Sequence, residues 1–183
     1  MARILNAVIV ILEFVGLYLS ISKSGSFKKL LIYYTQLSNL LTLFSSILFV
    51  IFGPKDLVEI VRYVSVCMMI MTFLVTVFVL VPMSGKVKEL LFSGSGLYYH
   101  LIIPILTTIT FLFAEEDVSY AFVWITPVLT LIYGIIMLIM NYKEKLEGPY
   151  PFFKIRNQGI KATIIWMAVL MVVISTISVL VLI

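Results

Sequence analysis

Long apolar runs separated by short polar breaks set the pattern of the chain. Six runs stand out: Ile4–Ser22, Leu30–Phe52, Ile60–Pro82, Gly96–Ala114, Ser119–Met140 and Lys161–Ile183. At about 1.5 Å of helical rise per residue, each is long enough to cross a hydrocarbon core roughly 30 Å thick. The breaks between them collect the charged and turn-forming residues, and only Asn141–Gly159 is of any size. The pattern predicts an all-α polytopic membrane bundle of six transmembrane helices, forming a single domain over residues 1–183. The first run follows Arg3 and could be mistaken for a secretion signal. It is too long for a signal core and no small-residue cleavage pattern follows it, so it reads as a retained helix.

Composition agrees with this pattern. Of 183 residues, 62% are hydrophobic and 12% charged, against roughly 25% charged in soluble domains. The net charge of +4 does not point to nucleic acid, because no Lys/Arg run is long enough. The basic residues instead divide unevenly between the two sides of the bundle. One side carries Lys23, Lys28, Lys29, Lys86, Lys88, Lys143, Lys145, Lys154, Arg156 and Lys161; the other carries Arg3, Lys55 and Arg62. Glu115, Glu116 and Asp117 also fall on the poorer side. The positive-inside rule then makes the basic loops cytoplasmic and puts both termini outside. The lone cysteine, Cys67, lies in an apolar run and reads as a small buried side chain.

Polar residues inside the spans are expensive and face the bundle interior or a wet cavity. His100 is the only histidine; it lies four residues past Gly96, about 6 Å into its helix. Thr35 lies five residues past Leu30, about 7.5 Å in, and both helices enter from the same side. Ser38, Asn39, Thr42, Ser45 and Ser46 continue a polar stripe from Thr35. Pro104, Thr107 and Thr108 form another beyond His100, and Thr126, Thr130 and Tyr133 a third. Pro104 and Pro127 release the carbonyls of His100 and Val123 from helical bonding. Such stripes either join helices to one another or line a polar cavity open to the cytoplasmic leaflet. Glu13 sits mid-span in the first helix, where a carboxylate costs about 2.5–3.5 kcal/mol, so it is expected to be protonated or paired. The segment Gly148-Pro149-Tyr150-Pro151-Phe152-Phe153 reads as an interfacial anchor or as a lid over the Thr35/His100 level. No metal-ligand pattern, phosphate loop or serine elbow is present, and no cofactor is expected.

Three of these motifs together carry a resemblance. Tyr33-Tyr34-Thr35-Gln36-Leu37-Ser38-Asn39-Leu40-Leu41, His100-Leu101-Ile102-Ile103-Pro104 and Tyr150-Pro151-Phe152-Phe153 resemble, in that order, segments of the androgen-induced and androgen-dependent membrane hydrolase family and its compact bacterial relatives. Tyr98-Tyr99 stand where the eukaryotic members carry an Asn-His pair, and Thr107, Thr108 and Thr110 occupy a region where relatives often have a carboxylate. The resemblance implies hydrolysis of fatty acid esters of hydroxy fatty acids, or similar lipid esters, by a threonine nucleophile and a histidine base. Carried onto this chain, these are Thr35 and His100. Asn39 is the best-placed oxyanion donor, with Tyr34, Tyr99 and Glu13 as supporting groups. Ser38, Pro104, Thr107, Tyr133, Tyr150 and Phe152 are candidates to line a substrate path. The expected partners are membrane lipids and a lipid-ester substrate in the bacterial cytoplasmic membrane. An acyltransferase using the same pair, a small transporter and a structural membrane protein are the alternatives.

Overall fold

The structure, a computed structural model, describes residues 1–115 and 118–183. Glu116 and Asp117, counted above in the acidic cluster, lie outside the described residues. The protein is all-α, and among the described residues six helices are long and apolar enough to cross a membrane. They are α1 (Ala2–Ser24), α2 (Tyr34–Phe52), α3 (Asp56–Ser84), α4 (Gly94–Ala114), α5 (Tyr120–Tyr142) and α6 (Ile155–Leu180). Large apolar side chains such as Ile11, Phe14, Phe78, Ile164 and Val172 are exposed, which water would penalise and a lipid solvent does not. The chain is an integral membrane protein.

The helices fall into two packed units. The first spans Met1–Ser119 and holds α1 to α4; the second spans Tyr120–Val181 and holds α5 and α6. In the first unit, Ile9, Met69, Tyr99 and Ile103 form an apolar core cluster. Small hydroxyl side chains join α2 to α3: Ser38 Oγ lies 3.0 Å from Thr72 Oγ1, and Ser45 Oγ donates to Ser65 Oγ at 3.1 Å. Without a hydrophobic force between helices in lipid, such contacts and close backbones hold the spans together. In the second unit, Gly134 lets Met167 of α6 come close to α5, since a Cβ there would lie 2.7 Å from the Met167 methyl.

Two departures from the sequence pattern matter for the site. The second helix begins at Tyr34 and not at Leu30, because Phe27–Leu30 forms a separate helical turn. Lys28 and Lys29 are exposed there while Leu30 is buried, as suits a turn lying at a membrane boundary. Tyr33 is extended, with φ −90° and ψ 129°, and caps the new helix. The other departure is a pair of π turns, Thr76–Leu80 and Tyr98–Ile102, just before Pro82 and Pro104. Each proline lacks an N–H and crowds the carbonyl four residues back. Widening the preceding turn relieves this, and the N–H groups of Val81 and Ile103 bond to Thr76 and Tyr98, five residues back.

Candidate functional site around His100 and Thr35

His100 occupies the centre of the second π turn, a distortion often found at functional positions. Its Nδ1 lies 2.8 Å from the carbonyl oxygen of Leu90. A carbonyl only accepts, so Nδ1 carries the hydrogen and a neutral ring keeps its lone pair on Nε2. Leu90 belongs to a short helix, Val87–Leu91, in the connection between α3 and α4. Gly96 makes this approach feasible: a Cβ there would lie 2.6 Å from both the Glu89 and the Leu90 carbonyl oxygens. Glu89 ties the same short helix to the end of α1, accepting from Lys23 Nζ at 2.7 Å, and pairs with Lys86 at 3.7 Å. The Lys23 hydrogen bond, with the charges of Lys23 and Lys86, holds the Glu89 carboxyl below its ordinary value of 4.5.

Behind His100, Tyr99 is buried and its ring packs directly on Gly16 of α1. Its hydroxyl accepts from Gln36 Nε2 at 3.4 Å, and Gln36 Oε1 accepts from Ser20 Oγ at 3.3 Å. Tyr99 is therefore a strut linking α1, α2 and α4. Gln36, which the sequence reading passed over, is the residue that joins them.

Thr35 lies in the first turn of α2, half-buried, and not a turn and a half inside it. Tyr34 beside it is buried. The N-terminal end of a helix carries partial positive charge and favours developing negative charge nearby. The hydrogen bond of His100 runs to Leu90. Asn39 is fully buried, and its Nδ2 donates to the Thr35 carbonyl at 2.7 Å. Ser38 Oγ donates to the same carbonyl at 2.9 Å. The two side chains thus brace the turn that carries Thr35. Of the remaining candidates in this unit, Thr107 is fully buried, and Pro104 borders an apolar groove of about 300 Å³ with Phe73, Leu74 and Ile109. Glu13 is 1% exposed and is near enough to Tyr99 to interact with it electrostatically.

Tyr133, Tyr150 and Phe152 belong to the second unit, where they enter an aromatic cluster. Tyr150 stacks on Phe152 with ring centroids 5.2 Å apart, and Tyr133 meets Phe153 edge-on at 5.7 Å. Phe152 also packs on Trp166 of α6 at 5.8 Å.

A second polar cluster lies at the opposite end of α4, fifteen residues or about 22 Å from His100. Arg62 of α3, counted above as a charge that sets orientation, is wholly buried. Its Nε and Nη2 grip Glu115 at 3.0 and 2.8 Å, and its Nη1 donates to Ser46 at 3.0 Å. Asn6 Nδ2 adds a bond to Glu115 at 3.0 Å. No group of three or more His, Cys, Asp or Glu able to hold a metal occurs among the described residues. No protein-family model, curated protein or solved structure matches the chain.

Proposed function

We propose that the protein is an intramembrane hydrolase of lipid esters, a compact relative of the androgen-induced family, with Thr35 as nucleophile and His100 as base. The observation that carries this reading is the His100–Leu90 hydrogen bond. A backbone carbonyl fixes the ring and its tautomer and leaves Nε2 basic, which is what a general base near neutral pH needs. Thr35 opens a neighbouring helix in the same unit, where Gln36 beside it bonds to Tyr99 beside His100.

In the proposed reaction, Thr35 Oγ1 attacks the ester carbonyl while its proton passes to His100 Nε2. The oxyanion forms near the start of α2, where the helix dipole favours it. Collapse expels the alcohol, which takes the proton from His100. Water, deprotonated by the same nitrogen, then cleaves the acyl-threonine to give the free fatty acid and restore both side chains. A direct hydrogen bond between nucleophile and base is often loose or absent until substrate is in place. The apolar groove beside Pro104, one turn beyond His100, suits an acyl chain. We place the enzyme in a bacterial cytoplasmic membrane with its basic loops inside.

The test is to label purified protein with a serine/threonine-reactive fluorophosphonate, using Thr35→Ala as control, and to measure fatty acid release from a panel of lipid esters. Labelling that survives Thr35→Ala would exclude this nucleophile. Wild-type protein inert on every ester would exclude the hydrolase.

A further inference from the structure

The connection between α5 and α6 frames a cavity of about 550 Å³ lined by Asn141, Glu144, Leu146, Glu147, Arg156 and Asn157. Small-molecule sites span about 300–1,000 Å³. All six residues belong to the second unit. Asn141, at the end of α5, is 4% exposed. Its Nδ2 donates to the carbonyls of Leu146 and Glu147 at 3.2 and 2.6 Å. These bonds hold the loop against the helix and fix the amide orientation, since a carbonyl only accepts. Glu144 has a φ of 58°, at the left-handed position after a helix that Gly or Asn usually takes. A glutamate kept there carries a conformational cost of the kind that gathers at ligand sites.

The wall of the cavity holds charges of both signs. Arg156 Nη2 pairs with Glu144 Oε1 at 2.8 Å, and Lys154 Nζ bonds to Glu147 Oε1 at 2.8 Å. The Lys154 hydrogen bond and charge hold the Glu147 carboxyl below its ordinary 4.5, so it is ionised at neutral pH. A carboxylate has a second oxygen and a guanidinium has five N–H donors, so each pair retains capacity for a further partner. Asn141 Oδ1 adds an acceptor with no hydrogen-bond partner among the described residues. A lone cation in this cavity would meet Arg156, and a lone anion would meet Glu144 and Glu147. A zwitterion with N–H donors at its positive end avoids both repulsions.

Position narrows the ligand further. The apolar run of α5 ends at Met140 and that of α6 begins at Lys161. The cavity lies in the polar connection between them, at the headgroup level of a bilayer. Just inside that level, Ile139 and Ile160 are exposed, as acyl chains alongside would require. We propose that this cavity binds the phosphoethanolamine headgroup of a membrane lipid, with its ammonium among the acceptors of Asn141, Glu144 and Glu147 and its phosphate on Arg156. The site is independent of the Thr35–His100 reading.

The experiment titrates the full-length protein in detergent with phosphatidylethanolamine, phosphatidylcholine or phosphatidylglycerol of identical acyl chains. Thermal unfolding reports affinity, because a ligand that binds only the folded state raises Tm saturably. Native mass spectrometry counts the lipids retained per chain. The expected result is one phosphatidylethanolamine per chain, bound about tenfold or more tightly than either other lipid. Phosphatidylcholine keeps the phosphate but has no ammonium N–H, and phosphatidylglycerol has no ammonium. Glu144→Gly removes a carboxylate while relieving the left-handed backbone. Its lipid-free form should unfold at the same temperature or higher, yet lose the preference for phosphatidylethanolamine. Arg156→Gln should weaken binding of that lipid by about tenfold. Equal binding of the three lipids, or a preference unchanged in both variants, overturns the site. Glycerophosphoethanolamine, the same headgroup without acyl chains, should compete only weakly. Binding as tight as that of the lipid would make the ligand a soluble phosphoester and overturn the membrane assignment.

Discussion

His100 and Thr35 drew notice in the sequence because polar groups are costly in lipid, and the structure gives each a distinct setting. If they act as one unit, Thr35→Ala and His100→Ala each remove most ester hydrolysis, and the double variant is little worse than either. Thr35→Ser retains part of the activity, because it keeps the hydroxyl. Fatty acid release by purified variants decides the matter, and full activity in either alanine variant would defeat the mechanism. What the sequence could not display is the group that orients His100. The Leu90 carbonyl is a backbone acceptor, which every residue has, so nothing in the residue name marks it. Arg62 was misread for a related reason. A basic residue near a helix end looks like an orientation signal, and only its partner, 53 positions later, reveals it as buried.

At the scale of elements, the spans were legible from hydropathy and their inner geometry was not. The short helix Val87–Leu91 is where that difference bears on function, since it was read only as a connection. Gly96→Ala would push its carbonyls away, because a new Cβ would sit 2.6 Å from backbone oxygens. Overpacking of this kind costs about 1–3 kcal/mol. The variant should unfold at lower temperature and lose ester hydrolysis by about tenfold or more, although it touches neither Thr35 nor His100. Normal hydrolysis in a folded Gly96→Ala protein would show that the Leu90 contact is dispensable. The Lys23–Glu89 tie lies outside the spans and has its own signature. Its contribution is present above the ordinary glutamate value of 4.5 and fades as pH falls through the lowered value of Glu89. A carboxyl-carbon NMR titration should find the Glu89 midpoint below 4.5, and Lys23→Gln should move it back up.

For the whole molecule, the charge bias of the loops makes a direct claim about sidedness. In cells, Ser84→Cys should react with impermeant reagents only from the cytoplasm, and Ser119→Cys only from outside. Labelling of Ser119→Cys from the cytoplasm alone would invert the protein. The Arg62–Glu115 pair reaches further, into the order of synthesis. Arg62 emerges from the ribosome 53 residues before Glu115, so the third span meets the bilayer with its guanidinium unpaired. Removing one partner of a buried pair costs about 3–5 kcal/mol, and an unfinished chain is in that same position. A nascent chain stopped before Glu115 should therefore hold its third span poorly, sliding or remaining with the insertion machinery. One stopped beyond it should commit. A glycosylation reporter fused after successive truncations would register the change, and Arg62→Leu should erase it, letting the third span settle as soon as it is made. The fourth helix, on this account, acts as the late counter-ion that completes the membrane entry of the third.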